Sequence, residues 1–302
     1  MTGAPQQVLA VTLALGGALC YAVAAVTQQR CAARLDSGAA FDARLVLRLA
    51  RTRGWQLSMI AVIAGYGLHA AALALGNLVI VEPVIPLGLL MALLLGARAE
   101  GRRLTWSEWT AAVATVAGLA VFLVAAEPSG GSQTAPATAL GLAATGAVLA
   151  AVVCWAVTRR VSAPHRALPL SIAGGIAAGV TDTLTKTVAP LAGVQQIALL
   201  GDVRLWLLAL AGLLALTLQQ NAYRAAGLAA SLPAFVVLQP LTGSLLGMMI
   251  YHERVSGGGL RITVEVLAVL AALWGIARLA SSVIAELGRL AALAAPVHEP
   301  AR

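Results

Sequence analysis

The chain has 302 residues, of which 60% are hydrophobic and 11% charged, with a mean hydropathy of +0.89. Soluble domains carry about 25% charged residues, so the composition excludes an ordinary soluble domain. The net charge of +8 falls in short clusters between long apolar runs, which argues for a polytopic membrane protein and against a basic nucleic-acid-binding face.

A helix needs about 20 apolar residues to cross a bilayer. The sequence predicts nine such spans, at 8–28, 55–76, 78–97, 105–126, 138–158, 168–189, 204–224, 230–251 and 261–281. No Lys or Arg precedes the first, so it reads as an uncleaved helix and not as a signal peptide. Leu19 is too large for a lipoprotein cleavage site before Cys20, and the three cysteines form no disulfide framework or metal spacing.

After span 1, the loop 41–53 places Arg44, Arg48 and Arg51 on one helical face and Phe41, Leu45 and Leu49 on another. A short basic amphipathic helix of this kind suits anionic lipid, although a plain basic loop would give the same composition. Spans 2 and 3 are separated only by Gly76-Asn77, and span 3 carries Glu82-Pro83. Residues 127–137 read as an exterior linker rich in Pro, Ser, Gly and Thr. Trp55, Trp106, Trp109, Trp155 and Trp206 fall near predicted span ends, where interfacial anchors belong. Residues 282–302 read as a tail with a weak amphipathic helix.

Span 6 holds the only lysine, Lys186, one turn after Asp182. A charge at the bilayer centre costs roughly 2.5–3.5 kcal/mol on insertion scales, so such residues point to a polar pathway. At positions i and i+4 the two can neutralise each other. The alternative is a helix-end lysine that snorkels to the headgroups, since Pro190 is close.

Arginine sets the expected orientation. Sixteen arginines fall on one side of the nine-span layout, from Arg30 to Arg302, and three on the other: Arg204, Arg254 and Arg261. The positive-inside rule then places the N-terminus outside and the C-terminus in the cytoplasm, for a multi-pass plasma-membrane protein.

An internal repeat is also visible. Gly16-Gly17 and Thr27-Gln28 of span 1 match Gly174-Gly175 and Thr185-Lys186 of span 6 at an offset of 158, and Glu82-Pro83 matches Gln239-Pro240 at 157. Spans 1–4 (within residues 1–126) and spans 6–9 (within 159–281) form the two copies, with span 5 (138–158) linking them. Equivalent spans are offset by five, an odd number, so the second copy is inverted. The expected fold class is an all-α polytopic membrane helix bundle of about nine transmembrane helices in two inverted repeats.

Several stretches carry a family resemblance: Trp55 through Leu90, with Gly65, Ala74-Leu75-Gly76 and Val84-Ile85-Pro86-Leu87-Gly88; Gly179 through Lys186; Gln219 through Pro233; and Gly247 through Arg254. On these the chain resembles the drug/metabolite transporter superfamily, in its EamA/NIPA-like branch. It looks most like the Ala/Val/Leu-rich integral membrane proteins of actinobacteria, with Glu82 departing from the amide expected in that group. The resemblance implies a nine-span fold and a transporter class.

Membrane-depth polar residues are the candidate site. The transport-cavity residues are Gln28, Glu82, Asp182, Lys186, Gln220, Asn221 and Gln239, with no catalytic or metal-ligand set among them. His69, Gln219 and the threonines of span 6 are further polar residues at depth. Glu82 and Asp182 are the candidate proton or cation carriers, and Lys186 beside Asp182 argues for an anionic or zwitterionic solute or for a structural Asp–Lys lock. His69 serves helix packing or function, and Gln219, Gln220 and Asn221 bond helices together or contact solute.

No P-loop, nucleophile–base pair or other enzyme motif is present, so catalysis and a cofactor are not expected. The reading is a secondary transporter of a small solute. A NIPA-like magnesium or divalent-cation permease and a non-transporting membrane scaffold are the alternatives. The partners expected are an unidentified solute, membrane lipid at loop 41–53 and a second copy in a homodimer, but no nucleic acid.

Overall fold

The computed structural model describes residues 4–35, 39–76, 78–126, 128–129, 135–192, 198–255 and 259–294. Among these, nine helices are long and apolar enough to cross a membrane. The chain is a multi-pass, all-α helix bundle, and its regular extended structure among the described residues is one antiparallel pairing of Pro128–Ser129 with Arg254–Val255.

Span 1 is Ala4–Ala33, span 2 Arg53–Leu75, span 4 Trp106–Ala125, span 5 Ala137–Thr158, span 6 Ala167–Ala192 and span 7 Val203–Ala225. Span 9 is one helix from Gly259 to Ala294, so the described part of the 282–302 tail continues that helix instead of starting its own. Most of the 127–137 linker, Asn77 and residues 295–302 lie outside the described residues.

Two spans are broken where the sequence predicts continuous helices. Span 3 begins with Leu78–Val81, passes through a 3-10 turn at Glu82–Val84, and resumes as Leu87–Ala99. Pro83 and Pro86 supply no N–H and disfavour helical conformation in the residue before them, so the ladder fails there. Span 8 consists of Leu228–Ser231 and then Pro233–Ile250. At that break the hydroxyl of Ser171 in span 6 stands in the ladder. Ser171 Oγ accepts from Phe235 N at 3.0 Å and donates to the Ser231 carbonyl at 2.6 Å, and Gln219 Nε2 donates to the same carbonyl at 2.9 Å. Irregular backbone survives at membrane depth only where protein groups satisfy it in this way. Span 6, by contrast, continues past Pro190 to Ala192 and does not end before it.

The packing repeats. Span 1 packs mainly on spans 2 and 3, span 6 packs mainly on spans 7 and 8, and span 4 lies along span 9. Under the correspondence of spans 1–4 with 6–9, each contact maps onto its counterpart. Span 5 packs on spans 6 and 7. Small residues permit this closeness: a Cβ on Gly179 would stand 2.6 Å from the Gln239 carbonyl oxygen, so span 8 crosses span 6 almost backbone to backbone.

The loop after span 1 carries a short helix, Leu45–Leu49. Leu45 and Leu49, the apolar face expected to meet lipid, are fully buried in the protein. Arg48 pairs with Asp42 at 3.0 Å. Span 4 starts with a capping box, in which Thr105 and Glu108 satisfy each other's backbone N–H. Arg102 bridges Glu100 and Glu108. Burial pulls its pKa down, but the hydrogen bonds and charges of those two carboxylates outweigh that and hold the guanidinium above its ordinary value.

Candidate functional site

A cavity of about 700 Å³ lies at membrane depth, lined by residues of spans 1, 2, 3, 4, 6, 7 and 8. Both repeats therefore build its wall. The size falls within the range of small-molecule sites, roughly 300–1,000 Å³. Of the candidate residues, Gln28, Glu82, Asp182, Gln220 and Gln239 line it. The lining does not include Lys186 or Asn221.

The break in span 3 places Glu82 on the wall. Its carboxylate lies 3.2 Å from His69 Nε2 of span 2, so His69 is a lining residue with a specific partner. Across the cavity, Asp182 Oδ2 accepts from Gln239 Nε2 at 2.9 Å. Pro240 follows Gln239 within the helix. Asp182 and Glu82 thus stand on the wall of the same cavity. Gln28 Oε1 accepts from Gln220 Nε2 at 2.7 Å, which joins span 1 to span 7. A hydrogen bond between membrane helices averages about 0.6 kcal/mol. Gln220 is fully buried, and its Oε1 has no hydrogen-bond partner among the described residues.

Three successive amides on span 7 point three ways, as side chains 100° apart must. Gln219 reaches the break in span 8 and Gln220 reaches Gln28. Asn221 turns to the loop after span 1. Its Oδ1 accepts from Asp42 N at 2.8 Å and its Nδ2 donates to the Asp42 carbonyl at 3.0 Å. Arg224 donates to Asn221 Oδ1 and to the Ala39 carbonyl. Asn221 is thus a loop anchor.

Asp182 and Lys186 do not form the mutual pair that their spacing predicts. Lys186 Nζ binds the carboxylate of Glu253 and lies 4.6 Å from the centre of the Tyr251 ring. The long lysine arm reaches the end of span 8, while the short Asp182 side chain is held by Gln239. Tyr251 is buried, and its hydroxyl meets the Thr183 carbonyl at 2.7 Å and Thr187 Oγ1 at 2.5 Å. This assembly clamps the end of span 8 to span 6. It also removes the argument that Lys186 draws an anion to Asp182.

Sequence reasoning missed several residues. Tyr21 and Tyr66 line the cavity with rings in T-shaped contact, centroids 5.5 Å apart. Their distance from the span ends, where interfacial tyrosines cluster, was a readable signal. Glu253 and Tyr251 lie in a stretch that carried the family resemblance but were given no role. Glu265 in span 9 was overlooked, and its Oε1 is buried with no partner among the described residues. The described residues contain no group of three His, Cys, Asp or Glu placed to share a metal ion.

No protein-family model and no solved structure matches the chain. It is similar to an uncharacterized protein of Corynebacterium glutamicum, 28% identical over 255 residues that cover 82% of this chain and 86% of that protein. The chain is thus an integral, multi-pass membrane helix bundle in which residues of spans 1–4 and 6–8 line one cavity.

Proposed function

We propose that the chain is a secondary transporter, a permease of the drug/metabolite type, moving a small solute across the plasma membrane through the cavity between its inverted halves. The observation that carries this reading is the cavity itself. Five polar candidates from spans 1, 3, 6, 7 and 8 converge on one solute-sized space at membrane depth. Burying that many polar groups in hydrocarbon is costly and serves a protein that must hold something polar there. The broken spans 3 and 8 add support, because they interrupt helices beside that space. The arginine bias supports an exterior N-terminus and a cytoplasmic C-terminus. We read the protein as a carrier and not an enzyme.

The reading is tested in proteoliposomes. Uptake of a labelled panel of amines, amino acids, organic acids and Mg²⁺ is compared for the wild type and Ala178→Trp. Ala178 is a buried lining residue, and an indole there fills the cavity. The expected result is uptake of at least one panel member that Ala178→Trp abolishes. A folded wild-type protein that moves none of them would favour the scaffold reading.

A further inference from the structure

We infer that the cavity takes a small organic monocation, a protonated amine with an apolar body. This rests on the transport reading above and names the charge class of its solute.

Charge comes first. The wall carries two carboxylates, Glu82 and Asp182, and among the described residues its lining includes no lysine or arginine. Its one basic group is His69, which already faces Glu82. If His69 is protonated it offsets one carboxylate and leaves the other; if neutral, it offsets neither. With both carboxylates ionised, the wall is net negative in either state of His69. Lys186, the one nearby ammonium, is bound to Glu253 away from the lining. An anion would meet two carboxylates with no cation to hold it, and the acidic end of a zwitterion would face the same repulsion.

Hydrogen-bond capacity points the same way. Gln220, a residue of this wall, has a buried Oε1 without a partner among the described residues, so it has an acceptor to offer. An ammonium group has donors and no acceptor, which complements carboxylates and a free amide oxygen.

The aromatic rings give the third argument. Tyr21 and Tyr66 line the same cavity as the two carboxylates, their rings in T-shaped contact with centroids 5.5 Å apart. A cation in that cavity can be held by the carboxylates and by the aromatic rings that share its wall. The rest of the wall is largely aliphatic and suits an apolar body. A divalent ion on this wall would keep most of its waters, because the described residues offer no group of three candidate ligands.

The test is binding to the purified full-length protein by calorimetry, using probes that share one phenyl body: phenethylammonium (cation), phenethyl alcohol (neutral), 3-phenylpropionate (anion) and phenylalanine (zwitterion). Mg²⁺ is added as the divalent probe. Phenethylammonium is expected to bind at least ten-fold tighter than each of the others. Asp182→Asn and Glu82→Gln should each weaken it ten-fold or more. The inference is overturned if another probe binds as well, if none binds, or if both carboxylate variants bind as the wild type does. Should a variant fail to fold, the wild-type rank order decides alone. Tight phenethylammonium binding without flux into vesicles would sink the transport reading and keep the charge class. Flux of the anion or the zwitterion would do the reverse.

Discussion

Lys186 near the end of span 6 pairs with Glu253, which follows span 8, across the face of Tyr251. The two are 67 residues apart in sequence, and their contact joins two helices of the second repeat at one membrane-facing end.

Energetic coupling should follow that geometry. Lys186→Met leaves the mostly buried Glu253 carboxylate unpaired and is expected to cost about 2 kcal/mol, reduced by screening because the lysine head is partly exposed. Adding Glu253→Gln should recover part of that loss, whereas adding Asp182→Asn should be additive. Thermal unfolding of the four combinations in detergent measures this. Coupling of Lys186 to Asp182 instead would contradict the observed pairing.

Asn221 predicts a separate behaviour. Its amide is bonded in both directions to the backbone of Asp42. Asn221→Ala should release the loop between spans 1 and 2 at a cost of about 1–2 kcal/mol. Limited trypsin digestion should then cut after Arg44, Arg48 or Arg51 several-fold faster than in the wild type. Unchanged cleavage would show that the loop is held by other contacts.

Glycines separate close packing from mere abundance. Gly179→Ala sets a Cβ against the Gln239 carbonyl and Thr242, so spans 6 and 8 must part, at about 1–3 kcal/mol. Gly141 in span 5 has open space at its Cβ position, and Gly141→Ala should raise stability by up to about 1 kcal/mol through helix propensity. Equal melting temperatures for the two variants would refute the packing of span 6 on span 8.

Orientation is open to labelling. In a cysteine-free background, single cysteines in the 127–136 linker should react with an impermeant maleimide from outside intact cells. Cysteines at 98–103 should react only after permeabilisation. The opposite pattern would reverse the membrane orientation inferred from the arginines.

The spans were legible because bilayer thickness fixes their length and hydrocarbon fixes their composition, both of which survive in a linear reading. The helix breaks were harder to see. Pro83, Pro86 and Pro233 were visible, yet whether a proline kinks, ends or merely rides in a helix depends on the groups that take up the freed carbonyls. Pro190 and Pro240 sit inside helices, while Pro233 opens one. Partner choice was the least legible. Asp182 and Lys186 share a face by spacing, but Gln239 and Glu253 come from a neighbouring span whose depth and crossing no local pattern encodes. Tyr21 and Tyr66 meet for the same reason, brought together by two helices that must first pack.

The hydroxyl of Ser171, standing in the ladder of span 8, has a consequence for biogenesis. Synthesis runs from the N-terminus, so span 6 emerges before span 8. The Phe235 N–H and the Ser231 carbonyl of the later helix find their partner on the earlier one. A slip of span 8 by one residue would take both groups away from that hydroxyl. The earlier helix thus carries the partner that the backbone of the later one needs.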